Sequence, residues 1–362
     1  DILEFDHHLC HAATAFYGSG FTESYLMTFD GRGDLQSGVI WKASYTNGIQ
    51  RIKTFSELKS LGFLYGQITS FLGFKSKRHE GKITGLAAYG KKTLLCDHLL
   101  DLICFKSGDI IISKQFMPTN NPRKINHLKS ICSQYSKEDI SFAVQYVLEK
   151  IILEIISFYI PKGANLAVSG GVFGNVKLNQ KIREQRQISN FFVFPEMGDG
   201  GIAFGATYLA QVQKGYRPKK IDHVYLGPKS NNSHKISGIK QIKFNSINTW
   251  LNEVAKRIDD SQVVGIFQEN LEYGPRALGA RSLLFKADNK ELNEIINKRL
   301  NRTEFMPFAP VCLIDEADKL FEDFDYHDKN TSFMTTCYKC TDLMLKECPA
   351  VVHVDKTARP QI

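Results

Sequence analysis

Apolar residues recur in this chain in two rhythms, strict alternation and a helical three-to-four spacing, and the switches between them mark elements. Residues 1–5 read as a short strand or extended lead. Residues 7–17 read as a helix, with Ala12, Ala13, Ala15 and Phe16 as helix formers and apolar bulk. Ser24–Phe29 is an apolar run closed by Asp30-Gly31-Arg32-Gly33, a tight-turn signal. Gly38–Ser44 and Ile49–Lys53 flank Asn47-Gly48, which predicts a type I′ hairpin and an antiparallel meander. Ser60–Phe71 and Ile83–Tyr89 read as helices, 108–130 as polar and irregular, and Phe142–Tyr159 as a buried helix. Asn165–Val168 and Phe191–Phe194 read as strands, and Gly200–Gln213 as a helix launched from Asp199. Residues 214–222 are polar and marked by Pro and Gly, as in a linker. Beyond 223, Leu251–Ile258 and Leu292–Leu300 read as helices, Val263–Phe267 as a buried strand and Phe308–Ile314 as another. Gly274–Leu284 reads as a loop followed by a short helix or strand.

A length of 362 residues implies more than one domain, and the break near 215–223 divides the chain into 1–215 and 223–362. The hydrophobic content of 43% and charged content of 23% exclude a mostly disordered or fibrous chain. The longest apolar stretch, Ile151–Ile160, carries Glu154 and falls short of the ~20 residues of a membrane span. No membrane partner is expected. The net charge of +8 suits a phosphate-bearing partner. Its lysines are dispersed rather than massed, so nucleic acid is not an expected partner. Eight cysteines are scattered, and the single CxxC, Cys337 and Cys340, has no second half to complete a zinc site. Reduced thiols in a cytoplasmic protein are the expected state. The start at Asp1-Ile2-Leu3 and the end at Arg359-Pro360-Gln361-Ile362 lead us to expect a longer parent chain.

Three groups of residues carry candidate chemistry. His7 and His11 are spaced to share one helix face and grip one metal ion, and His8 points elsewhere. Ordinary hydrogen-bonded helix histidines give the same spacing. Asp30 and Asp199 each sit at a strand end beside glycines, which places a carboxylate beside a cation; a turn residue or helix cap is the alternative. Ser169-Gly170-Gly171 follows a strand, where glycines let a nucleotide approach the backbone, and Asn175 and Asn179 follow at one-turn spacing. The third group is Glu272-Tyr273-Gly274-Pro275-Arg276-Ala277-Leu278-Gly279-Ala280-Arg281-Ser282, with Arg302 and then Phe305-Met306-Pro307-Phe308-Ala309-Pro310 downstream. Planar guanidinium groups at a Gly-Pro turn suit bidentate capture of an anion, though surface salt bridges would also use them. His353, Asp355 and Arg359 add a further set.

Six segments occur in one order: Asp6–Ala12, Gly81–Gly90, Ser169–Gly171, Gly198–Gly201, Gly274–Ser282 and Met306–Pro310. In this the chain resembles the NodU/CmcH-type O-carbamoyltransferases. The resemblance implies an α/β protein: an actin-like (ASKHA) ATPase domain truncated at its N-terminus, then a YrdC-like α/β domain truncated at its C-terminus. It implies that carbamoyl phosphate and ATP yield a carbamoyl-adenylate in the second domain. The carbamoyl group then passes to a hydroxyl of a small molecule or sugar in the first. It implies a divalent metal, of the Fe2+ type, at His7, His11, Asp30 and Asp199, with Mg2+ accompanying ATP. Gly170, Gly171 and Asn175 fall on the family's nucleotide loop, joined by Gly200 and Gly201; Arg276, Arg281, Ser282 and Arg302 fall on its adenylate-forming side. Leu300, Met306 and Lys356 depart from the family pattern, Lys356 where glycine is usual. A related tRNA-modifying (threonyl)carbamoyl transferase and a nucleotide-binding regulator without turnover are the alternatives.

Overall fold

The computed structural model describes residues 2–113, 116, 126–229, 238, 240, 242–301 and 305–362. Helix α1 (His7–Ser19) starts at Asp6, whose Oδ1 accepts the Leu9 N–H at 2.9 Å, and ends at Gly20 in the left-handed conformation. Strands β1 (Glu23–Gly33), β2 (Gln36–Ser44) and β3 (Gly48–Ser56) form the expected antiparallel meander. The type I′ geometry, however, lies at the first turn. Asp34 and Leu35 both have positive φ, 49° and 63°, and join Gly33 to Gln36. At the second turn Gly48 alone is left-handed, φ 68°, after the loop Tyr45–Asn47. There the Ser44 hydroxyl accepts the Asn47 N–H at 3.0 Å, which favours a longer loop over the two-residue hairpin.

Helices α2 (Leu61–Phe71), α3 (Glu80–Ala87) and α4 (Leu94–Leu102) follow, then a hairpin of β4 (Ile103–Lys106) and β5 (Asp109–Ile112). The expectation of an irregular 108–130 fails at its start. Ser107 and Gly108 turn the chain with positive φ, and fully buried Ile110 anchors β5 in the core. Residues 117–125 lie outside the described set. Helices α5 (Asn126–Cys132) and α6 (Lys137–Tyr159), strand β6 (Ala164–Ser169), helix α7 (Val176–Arg183), strand β7 (Ile188–Val193) and helix α8 (Ile202–Gln213) complete this half.

The five-stranded sheet runs β3-β2-β1-β6-β7, with β6 parallel to both β1 and β7. Alternation along the strands separates two cores. Met27, Phe29 and Ile40 face Leu64, Ile68 and Ile151 of α2 and α6. Leu26, Val39 and Trp41 face Ala12 and Phe16 of α1, against Tyr208 of α8. This sandwich brings the start of α1, the end of β1 and the start of α8 to one place. Segment 216–228 has no regular structure, as a linker would, but it is held: Ile221 and Val224 are buried and the Tyr208 hydroxyl donates to the Lys219 carbonyl at 2.7 Å.

The second half carries α9 (Ile247–Asp259), a hairpin of β8 (Val264–Phe267) and β9 (Arg281–Leu284), and α10 (Glu291–Arg299). Then come α11 (Ala317–Leu320), β10 (Tyr338–Lys339), α12 (Asp342–Glu347) and β11 (Thr357–Ala358). Two expectations are corrected. β8 is not buried: its residues alternate between half-buried and exposed, with Phe267 62% exposed. Phe308–Ile314 is not a strand; Pro307 and Pro310 cannot donate ladder hydrogen bonds, and only Val311 bridges, to Gln361. Phe321, Tyr338, Met344 and Val351 form a third core. The halves are joined by polar contacts. The Asn330 amide accepts from Val193 N–H at 2.8 Å and donates to the Phe191 carbonyl at 3.0 Å, standing in for a strand on the β7 edge.

Candidate metal centre and anion pocket

His7 and His11 project one turn apart from α1, with ring centroids 4.8 Å apart. Asp30 lies where β1 shifts register between Phe29 and Gly33, and Asp199 opens the single 3-10 turn that leads into α8. Asp30 Oδ2 is 3.4 Å from Nε2 of both histidines; Asp199 Oδ1 is 3.6 Å from His7 Nε2 and 3.7 Å from His11 Nε2. One ligand atom from each of the four lies within 4.8 Å of every other. The structure thus brings together the four residues the sequence singled out. His11 is wholly buried and His7 and Asp30 are partly buried, whereas the Asp199 side chain is 70% exposed, so the cluster opens on one side.

The chemistry of the donor set fits a cation. The Ser169 hydroxyl lies 3.3 Å from the Met197 carbonyl and 3.1 Å from Thr14 Oγ1, whose own hydroxyl donates to the His11 carbonyl at 2.7 Å. His11 Nδ1 lies 3.0 Å from the same Ser169 hydroxyl, which occupies that ring nitrogen. That leaves His11 Nε2, buried and with no hydrogen-bond partner, facing two carboxylates. A lone pair aimed at carboxylates is repulsive unless a proton or a metal sits between them. Bonds of about 2.0–2.2 Å to one ion span donor separations of about 3.0–3.6 Å, close to those observed. Burial pulls the His11 pKa down, but Asp199 and Asp30 outweigh it and hold it above the usual value. Burial likewise raises Asp30, and its bonds to His11 and His7 outweigh that, holding the carboxyl far below the usual range.

His8 is excluded from this chemistry. Its Nδ1 is 3.0 Å from Thr28 Oγ1 and its Nε2 is 3.3 Å from the Gln36 carbonyl; burial pulls its pKa down to about 4. Gly33 is required by the site: a Cβ there would lie inside van der Waals contact of the His7 ring. Gly170 (φ 108°) has a similar cause, since a Cβ would collide with the Phe29 carbonyl, so this loop packs on the end of β1 beside Asp30. Gly171 adjoins Asp30 Oδ1, and Gly200 and Gly201 follow Asp199 directly. The Asn175 side chain is committed elsewhere: it accepts the Leu178 N–H at 3.0 Å and donates to Gln145 at 2.7 Å. Asn179 is buried and donates to the Phe173 and Thr335 carbonyls.

In the second half a cavity of about 700 Å³ is lined by Trp250, Arg276, Arg281, Ser282, Arg359 and Gln361 among others. Its wall loop is built by Glu272, whose carboxylate accepts three N–H groups, from Leu278 (2.9 Å), Ala280 (2.7 Å) and Arg281 (3.1 Å). Arg276 Nε is buried without a partner. The charge of Arg359 first, and burial second, pull the Arg276 pKa down to about 9. Arg276 and Arg359 line the same cavity, and paired guanidinium groups of this kind are a candidate site for an anion. Arg281 differs: it donates to the Gln268 (2.6 Å) and Ala280 (2.8 Å) carbonyls and lies over the Phe267 ring at 3.8 Å, bracing the β8–β9 hairpin. The Ser282 hydroxyl accepts the Gly279 N–H at 2.9 Å. Arg302 lies outside the described residues.

Comparison with known proteins places the chain. The family model described as "Carbamoyltransferase N-terminus" matches residues 1–208, and "Carbamoyltransferase C-terminus" matches 255–362. The chain belongs to the carbamoyltransferase family. The uncharacterized protein MJ1051 of Methanocaldococcus jannaschii is 34% identical over 99% of this chain and 70% of its own length. Nodulation protein NolNO of Sinorhizobium fredii is 32% identical over 98% of this chain and 54% of its own length. The nodulation protein NolO of Bradyrhizobium diazoefficiens is 30% identical over 98% of this chain and 67% of its own length. The chain therefore spans between about half and 70% of these relatives. Among the described residues no helix is long and apolar enough to cross a membrane.

Proposed function

We propose that this chain performs O-carbamoyl transfer: water splits carbamoyl phosphate to carbamate and inorganic phosphate, a carbamate oxygen attacks the α-phosphorus of ATP to give a carbamoyl-adenylate with release of pyrophosphate, and the carbamoyl group is then delivered to a hydroxyl of a small molecule or sugar. Residues 1–215 are the actin-like (ASKHA) transfer domain and 223–362 the YrdC-like adenylate-forming domain. The sheet order β3-β2-β1-β6-β7, a three-stranded meander extended by two parallel strands, supports the first assignment. The observation that carries the reading is the buried His11 Nε2, unpartnered and facing Asp30 and Asp199, in a carbamoyltransferase-family chain.

His7, His11, Asp30 and Asp199 would hold a divalent metal, and mixed imidazole and carboxylate ligands suit Fe2+. When bound, the metal supplies Lewis-acid polarisation of the carbamoyl carbonyl. The protein's own residues do the rest. Ser169 holds the His11 ring through Nδ1, and the glycine turns at Gly170–Gly171 and Gly200–Gly201 bring backbone close to the centre. The exposed side at Asp199 admits the acceptor. Arg276 and Arg359 bind the anionic donor in the cavity, which has room for a nucleotide. In the transfer step the acceptor oxygen attacks the carbamoyl carbon, the bond to AMP breaks, and AMP leaves with the electron pair while the hydroxyl proton passes to a base. Closure of the mixed anhydride between the two halves would protect it from water. Incubation with labelled carbamoyl phosphate, ATP and candidate hydroxyl acceptors tests the reading: labelled carbamate product is expected, and absence of both product and pyrophosphate release overturns it.

A further inference from the structure

Glu196 belongs to neither the metal cluster nor the anion pocket, yet it adjoins both. Its side chain folds back over the Gly198–Gly201 turn that carries Asp199. A Cβ placed on Gly200 would lie 3.0 Å from Glu196 Cδ and 3.1 Å from Oε1, and one on Gly198 would lie 3.3 Å from Oε1. From the other side the Arg276 loop leans on the same turn. Gly274, with φ 115°, packs over Pro195 and Glu196, and the Tyr273 hydroxyl donates to the Gly200 carbonyl at 3.0 Å. The Tyr273 ring lies 5.6 Å from Phe204 and 6.5 Å from Phe194, which clamps this contact. The carboxylate is half-buried between a site built for a cation and a site built for an anion.

The electrostatics follow that placement. Burial raises the Glu196 carboxyl, and the Gly198 N–H and the Arg276 charge oppose it, while Asp199 adds to the rise and His11 opposes it. Arg276 in turn is depressed by Arg359 and burial, and Glu196 is one of two groups that act against this. Glu196 thus stands against the Gly198–Gly201 turn on one side and against the Gly274 loop that leads to Arg276 on the other.

We propose that Glu196 is a positioning residue for the transfer reaction: its carboxylate holds the Asp199 turn, and its charge weakens the grip of Arg276 on the anionic donor so that the group can be passed on and the anion released. The inference rests on the carbamoyl-transfer reading of the two sites. A neutral acceptor in the same place would keep the turn and lose the repulsion. A methyl would lose both.

The test compares the full chain with Glu196→Gln and Glu196→Ala by titration with carbamoyl phosphate and, separately, with Co2+. Glu196→Gln is expected to bind carbamoyl phosphate about three- to tenfold more tightly, with Co2+ affinity close to that of the wild type. In turnover this appears as a lower KM for carbamoyl phosphate with a lower kcat. Glu196→Ala is expected to share the tighter anion binding but to lose Co2+ affinity by about tenfold or more. Unchanged anion affinity in Glu196→Gln overturns the inference alone. So does an equal tightening in an Arg276→Met background, because the anion would then be held elsewhere. Failure of the wild type to bind carbamoyl phosphate overturns both the inference and the reading beneath it.

Discussion

His11 and Ser169 are 158 residues apart in sequence and meet at 3.0 Å, imidazole Nδ1 to hydroxyl. The contact joins the helix that supplies the histidine pair to the strand end that opens the Gly170–Gly171 loop. It decides which His11 nitrogen faces the two carboxylates. Ser169→Ala is therefore expected to leave the fold intact and to reduce divalent-metal affinity about 10–100-fold, the usual cost of losing a hydrogen bond that orients a ligand. Metal titration followed by circular dichroism checks both parts.

Gly33 leaves the space that the His7 ring occupies. Gly33→Ala is expected to push His7 out of the cluster, removing metal binding while far-UV circular dichroism stays native. Retained affinity in this variant would show that His7 is not a ligand.

Asp355 forms a 2.8 Å ion pair with Lys177 of α7, and the Lys177 amine also reaches Thr357 at 3.2 Å, so the pair joins the two halves. Burial raises the Asp355 carboxyl, but His353 and Lys177 outweigh it and hold it well below the ordinary value of 3.8. The sign follows: below pH ~4 the unfolded chain binds a proton that the folded chain does not. The stabilisation is complete above the unfolded pKa and is lost as pH falls through the lower folded one. Asp355→Asn is expected to destabilise by about 1–3 kcal/mol near neutral pH, less than a fully buried pair because both side chains are partly exposed. The gap from wild type should shrink below pH ~4; urea midpoints across pH measure it.

Lys356 has a φ of 60°, in the left-handed region that favours glycine. The turn forms regardless, closed by the Lys356 N–H donating to the His353 carbonyl at 2.9 Å. A side chain in the left-handed region costs about 1–2 kcal/mol, partly offset in glycine by unfolded-chain entropy. Lys356→Gly is expected to stabilise by about 0.5–1 kcal/mol in equilibrium denaturation.

Much of the first half is legible in the amino-acid sequence. The meander, α1 and α6 follow from apolar spacing, and the histidine pair is visible because helical periodicity alone puts positions 7 and 11 on one face. Asp30 and Asp199 are visible as carboxylates at glycine turns. Other features cannot be read locally. The Asp34-Leu35 turn contains no glycine, so nothing in its composition announces two positive φ angles. Ser169 is overshadowed by the glycines after it, and its role depends on a residue in another element. The arginines look alike in sequence, yet Arg281 spends its donors on backbone carbonyls while Arg276 is left beside Arg359. Glu272, which shapes that loop through three N–H groups, carries no motif of its own. At Phe308–Ile314 apolar content suggests a strand, but Pro307 and Pro310 carry the opposing signal, and the prolines prevail.

The most direct test is titration of the metal-stripped full chain with Co2+, read by its d–d absorption and by elemental analysis, in the wild type and in His11→Ala and Asp30→Asn. One ion per chain is expected, with its spectrum lost in both variants. No ion on the wild type, or an unchanged spectrum after His11 is replaced, would contradict the metal centre from which the transfer chemistry is argued.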